Sequence, residues 1–186
     1  MKKRSLIIFA LLLSCLMIIA GCGDSKTEKD TKQQETKVAT QAEKPAAVNN
    51  EFTLYFPDEN GEYLIPSKHR IDVTEADQYK EVVAALIKGP DNAKEGIAIM
   101  PKGTNVIDVK VTKGIANVDF NQDFVKHFPG GSTSELMIIG SIVNTLTDIK
   151  GIDAVKISVE GKGIDTLSGH LDLSEPLKPM KDLIKK

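Results

Sequence analysis

The segment 136–148 constrains the fold of this chain more than any other, because its apolar face is too wide for a helix covered on one side. Leu136, Ile139, Val143 and Leu146 recur at helical spacing as a main stripe, and Ile138 and Ile142 widen it. A stripe of that width requires partners on more than one side. Ser132 with Glu135 three residues on has the capping-box spacing, so the helix is expected to begin there, and Gly151 ends it. If Ser132 is the cap, Ser132→Ala should cost about 0.5–2 kcal/mol.

The elements around this helix have equally physical signatures. Thr74 and Asp77 form a second capping-box pattern, after which Tyr79, Val82, Val83, Leu86 and Ile87 make one apolar stripe closed by Gly89-Pro90. Residues 106–112 alternate, with Ile107, Val109 and Val111 expected on the core face. Lys113-Gly114 turns the chain, and Ala116, Val118 and Phe120 return on one face, which reads as a hairpin. Residues 121–131 read as a loop whose Phe124 and Phe128 cover a core edge. Val155, Ile157 and Val159 mark a last strong strand. Ahead of all this, residues 52–57 read as a strand. A turn at Asp58-Glu59-Asn60-Gly61 leads into irregular extended chain over 62–73, with Pro66 at an edge or bulge. Beyond Gly161 the chain reads as extended without further assignment. The expected fold class is α+β: a small sheet with two helices packed on it, in the order helix, strand, strand, helix, strand, preceded by a hairpin. The strand–helix–strand crossover should be right-handed if its strands are parallel.

The N-terminus addresses the chain. Met1-Lys2-Lys3-Arg4 is a positive n-region, residues 6–20 are an uncharged apolar run, and Ile19-Ala20-Gly21-Cys22 follows. This tetrapeptide resembles the lipobox of bacterial lipoproteins. Residues 1–21 are therefore expected to be a lipoprotein signal peptide and Cys22 the acylated residue, its palmitate-type chains holding the protein to the cell membrane on the extracytoplasmic face. A transmembrane helix needs about 20 apolar residues, more than this run supplies. An ordinary secretory signal would leave Cys22 without a role. Leu12-Leu13-Ser14-Cys15 is a looser rival whose use would shorten the apolar run and leave Leu16-Met17-Ile18-Ile19 on the mature protein. Residues 22–51 are rich in Asp, Ser, Lys, Thr, Glu and Gln, and read as a lipidated N-terminus and flexible tether. Residues 52–186 are the expected folded domain.

Composition narrows the chemistry. No cysteine follows Cys22, so disulfides and cysteine-based zinc sites or nucleophiles are excluded beyond that point. A formal net charge of −2, with both signs interspersed, leaves no basic footprint for nucleic acid.

Five short motifs occur in order: Leu54-Tyr55-Phe56; Leu86-Ile87-Lys88-Gly89-Pro90; Pro101-x-Gly103-Thr104; Val118-Asp119-Phe120; and Ile142-Val143-Asn144-Thr145-Leu146. The succession resembles the GerMN domain family over Leu54 to about Pro176. The resemblance implies a fold like the ring-building motif of secretion and sporulation assemblies. It also implies a non-enzymatic lipoprotein contributing to envelope, sporulation or germination assemblies, through protein–protein interaction with envelope partners or copies of itself, with cell-wall contact as a further option.

Against that stand the residues able to do chemistry. His69, His127 and His170 lie in three separate segments without HxH or HExxH spacing, and read as surface histidines. Ser132, Ser134 and Ser168 sit in no nucleophile elbow. Gly130-Gly131 before a helix offers amides to an anion, with local capping the simpler account. Asp58, Glu59 and Glu62 lack EF-hand spacing. No catalytic residue, cofactor or metal ligand is therefore assigned. The rival reading is a cell-wall-acting enzyme or ligand-binding lipoprotein, although the chain has no Trp to line a glycan groove.

Overall fold

The computed structural model describes residues 51–186; the expectations for the signal peptide, Cys15, Cys22 and nearly all of the tether lie outside them. The chain opens with an antiparallel ribbon of β1 (Glu51–Pro57) and β2 (Leu64–Arg70), with Tyr55 opposite Pro66. β2 is a regular strand rather than irregular chain. The turn is longer than expected because Asp58 organises it: one carboxylate oxygen accepts the Glu62 and Tyr63 amides at 2.8 and 3.2 Å. That use of Asp58 accounts for the acidic turn as local structure.

Helix α1 (Gln78–Lys88) buries Val82, Val83 and Leu86 as its stripe requires, and ends at Gly89. It starts later than the capping box implies. The Thr74 hydroxyl donates to the Asp77 carboxylate at 2.9 Å instead of serving the helix amides.

Strands β3 (Val106–Thr112), β4 (Ile115–Phe120), β5 (Ala154–Val159) and β6 (Lys162–Gly163) form a second sheet in that order, with β4 and β5 parallel and the other pairs antiparallel. Lys113 and Gly114 both have positive φ, 52° and 78°, the requirement of the two-residue turn that matches strand twist. One sequence expectation fails in β3. The register slips between Val106 and Asp108, so Ile107 is the extra residue of a bulge and is 45% exposed, while Val106, Val109 and Val111 pack on the core. A bulge breaks the two-residue period of side-chain facing, so alternation alone misplaces Ile107.

In the expected 121–131 loop lies a short helix α2 (Asp123–Lys126). It lays Phe124, fully buried, against Phe120 with ring centroids 4.4 Å apart. Helix α3 (Ser132–Thr147) buries every residue from Met137 to Leu146. It touches β1, β2, α1 and β5, so the wide apolar face is covered from several sides, as its sequence demands.

The α3 start is the second correction. Gly131 is the N-cap residue, and no side chain caps the helix. Ser132 is exposed, and Glu135 turns away to another segment. Ser132→Ala is consequently expected to change unfolding free energy by less than about 0.5 kcal/mol, as at other exposed positions, measured by urea titration.

The C-terminal stretch, unassigned from sequence, is tied down polar group by polar group. Leu177 exchanges backbone hydrogen bonds with Val155 at 2.8 and 2.9 Å. The Asn144 side chain holds Met180 by accepting from its N–H at 2.8 Å and donating to its carbonyl at 3.1 Å. Lys185 N–H donates to the Leu64 carbonyl at 2.9 Å.

Candidate functional site

Glu135 carries the densest polar constellation among the described residues. It is fully buried in the first turn of α3, yet its carboxylate accepts five hydrogen bonds from one loop. Oε1 accepts from the Thr166 hydroxyl (2.8 Å), Leu167 N–H (2.9 Å) and Ser168 N–H (3.1 Å). Oε2 accepts from the Ser168 hydroxyl (2.8 Å) and His170 N–H (3.1 Å). Burial would raise the pKa of this carboxyl, but the Thr166 and Ser168 hydroxyls and the loop amides outweigh it and hold the group down at about 2. The charge is thus spent on fixing the 166–170 loop.

The same bonds dispose of Ser168, whose hydroxyl serves Glu135. Ser132 is exposed on α3. His127 is exposed, and its Nδ1 lies 2.8 Å from the Lys102 carbonyl oxygen and 3.4 Å from Asp123. His170 is exposed and contributes its backbone amide to the Glu135 cluster. His69 departs from the surface reading: its side chain is only 10% exposed. It packs edge-on to Phe56 at 5.6 Å between ring centroids.

Around His69 the fold assembles what the sequence keeps apart. Asp91 Oδ2 lies 3.6 Å from Nδ1, and Glu95 Oε2 lies 3.3 Å from Nε2. The two carboxylates come from the turn after α1, where a 3₁₀ segment (Ala93–Glu95) begins at Asn92, whose side chain accepts from Lys94 N–H at 3.0 Å. Glu95 Oε2 also accepts from Asp91 N–H at 3.2 Å, and the Asn92 side-chain amide donates to its Oε1. The i, i+4 spacing of Asp91 and Glu95 is the one sequence signal for this cluster.

A groove of ≈ 270 Å³ lies beside Tyr55, Asn144, Asp148 and Lys181. Tyr55 donates to Asp148 Oδ1 at 3.2 Å. Burial first, and the Asp148 charge next, push the phenol up to about 12, so it remains a hydrogen-bond donor at neutral pH. No helix among the described residues is long and apolar enough to cross a membrane.

The sheet order and the sandwiched α3 define an α+β domain. The family profile described as "Germane: Sporulation and spore germination" matches residues 53–165, and the chain belongs to that family. Spore germination protein GerM of Bacillus subtilis (strain 168) is 28% identical over 135 residues, 68% of this chain and 36% of GerM. The chain therefore spans about a third of that curated relative's length. The first GerMN domain of GerM from Bacillus subtilis superimposes with a TM-score of 0.57 at 25% identity, over 69% of this chain and 96% of that domain. A Clostridium perfringens protein provisionally named a lipoprotein shares the fold with a TM-score of 0.50 at 23% identity, over 74% of this chain and 95% of its own.

Proposed function

We propose that this protein is a lipid-anchored module on the extracytoplasmic face of the cell membrane. Cys22 carries the lipid, residues 22–50 are the tether, Glu51 already belonging to β1, and the folded domain works by contact in an envelope or sporulation-related assembly. The observation that favours contact over chemistry is the use of Glu135. The best-buried ionised group, together with the Ser168 hydroxyl, is consumed in holding a loop, and the other serine and histidine candidates lie in separate settings. The lipobox-like Ile19-Ala20-Gly21-Cys22 supports the anchor, and the germination role named for GerM supports the setting.

The contact surface we assign is the outer strand β3, where the bulge turns Ile107 outward beside exposed Lys110 and Thr112, and the partner is an envelope protein. The bulge, with the Asp108–Lys110 ion pair at 2.5 Å, blunts this edge against indiscriminate strand pairing. Contact is therefore by side chains.

Two variants test the reading together. Cys22→Ala is expected to lose lipid labelling and to leave the detergent phase or accumulate unprocessed. Ile107→Glu is expected to keep the thermal midpoint and lose in-cell crosslinking to its partner, read with a photo-crosslinker at Thr112. Persistent lipid labelling of Cys22→Ala would overturn the anchor. Loss of biological complementation in Ser168→Ala or His170→Ala at unchanged stability would overturn the contact reading in favour of an active site.

A further inference from the structure

We propose that His69, Asp91 and Glu95 form a binding site for one divalent cation of the zinc class, joining the turn after α1 to the end of β2. One ligand atom from each of the three side chains falls within a 4.8 Å cluster. Imidazole with two carboxylates is a donor set suited to Zn²⁺ and its first-row neighbours.

An acidic pair beside a histidine is common, and the independent observation here is the state of His69 Nε2. It is buried and has no hydrogen-bond partner among the described residues, although Glu95 Oε2 is only 3.3 Å away. The two atoms are close enough to bond, but their alignment is not that of an N–H···O hydrogen bond. A cation between them resolves the mismatch. Two ligands on a tetrahedral Zn²⁺ with bonds of about 2.0–2.1 Å are separated by about 3.3 Å, which is the distance the fold sets. An orphaned ring nitrogen in a nine-tenths buried side chain is otherwise a costly feature to keep.

The cluster is also built with the rigidity a site needs. His69 is fixed on a paired strand and against Phe56. Glu95 is 25% exposed, and its Oε1 is occupied by the Asn92 side chain, which presents Oε2 toward the imidazole. Asp91 is the open ligand at 64% exposure. Lys88 Nζ sits 3.5 Å from its Oδ1, and Oδ2, 3.6 Å from Nδ1 on the other edge of the ring, has to swing toward Nε2 to reach the metal, which its exposure allows. The fourth position then faces solvent on the Asp91 side. It can hold water or a carboxylate or imidazole from a bound protein.

The test titrates Zn²⁺ alone into the full-length chain in detergent, by competition with a chromogenic chelator, and follows the His69 ring nitrogens by long-range ¹H–¹⁵N NMR. We expect one Zn²⁺ per chain, a shift of the His69 Nε2 resonance, and a zinc-dependent rise in thermal midpoint. Asp91→Asn and Glu95→Gln should each weaken binding by about tenfold or more while His127→Ala leaves it unchanged. Because both carboxylates are partly or largely solvent-exposed, the metal-free midpoints of those variants should stay near that of the parent chain, which separates lost ligation from lost folding. Absence of saturable binding at micromolar Zn²⁺ would overturn the proposal and leave the cluster as a histidine–carboxylate ion pair. Undiminished affinity in both carboxylate variants, or loss of binding in His127→Ala, would overturn it equally.

Discussion

Glu135→Ala is expected to destabilise the domain by about 3–5 kcal/mol, the largest loss of any single polar substitution among the described residues. The mutation removes the acceptor for five donors at once, two of them hydroxyls and three backbone amides. Each buried donor left without a partner costs about 1–3 kcal/mol. The sum is limited because the 166–170 loop, largely exposed, can turn some donors to water. Against a typical total of about 5–15 kcal/mol, the variant would be marginally folded. Glu135→Gln should fall between, because its amide oxygen can replace one carboxylate oxygen while its NH₂ opposes the donors on the other side. The Ser168 hydroxyl can rotate to adapt, but the His170 amide cannot. Urea midpoints of the two variants check the order, and an unchanged midpoint for Glu135→Ala would show that the loop is held by other means.

The same carboxylate makes a pH prediction with a definite sign. Its folded pKa, about 2, lies below the ordinary value of 4.5, so the unfolded chain binds the proton more readily. The stabilisation is therefore complete above about pH 4.5 and is lost as pH falls from there toward 2. A displacement of that size corresponds to about 3 kcal/mol. Parent and Glu135→Gln stabilities should thus converge as pH is lowered through this window, and remain parallel between pH 6 and 8. Asp58, likewise held below its ordinary value by backbone amides against the opposing effect of burial, adds to acid sensitivity in both proteins and does not disturb the comparison.

What the sequence revealed and what it withheld divide along the range of the forces involved. Apolar periodicity is local, so the stripes of α1, α3, β4 and β5 were legible, and Val82, Val83, Leu86, Ala116, Val118, Val155 and Ile157 are all buried. The width of the α3 stripe even foretold its several-sided burial. Ile107 was misplaced because a single inserted residue reverses the facing of everything before it, and a bulge leaves no compositional trace in Val106-Ile107-Asp108. Ser132 and Glu135 have the capping-box spacing, but Glu135 is taken by donors 31 to 35 residues later. Spacing within one turn cannot announce a competitor that arrives from the far side of the fold. Frequency alone favours a surface position for His69, and its burial follows from the ribbon packing Phe56 against it. The cluster with Asp91 and Glu95 depends on that packing and on one glycine.

That glycine is Gly96, and Gly96→Ala is expected to cost about 2–6 kcal/mol. Its backbone lies at φ 118° and ψ −160°, a region that is in practice reserved for glycine and costs other residues about 1–3 kcal/mol. A methyl group there would stand 2.6 Å from the Pro57 carbonyl oxygen and 2.7 Å from Phe56 Cβ. The first of these is main chain of β1, so relief requires parting the turn from the ribbon, an overpacking cost of about 1–3 kcal/mol more. Parting them also strains the Ile97 N–H bond to that same carbonyl, now 2.9 Å. Gly161→Ala is the matched control. Its φ of 76° is also positive, but nothing lies within 4 Å of the added methyl, so only the left-handed penalty of about 1–2 kcal/mol applies. The difference between the two urea-derived losses isolates the close approach of turn and ribbon. Because Glu95 precedes Gly96 directly, the same substitution should move its carboxylate away from His69. Gly96→Ala is therefore predicted to weaken Zn²⁺ binding even where the domain remains folded, whereas Gly161→Ala should leave it unchanged. Equal losses of stability in the two variants would mean that the turn yields freely and that Phe56 and Pro57 do not fix it.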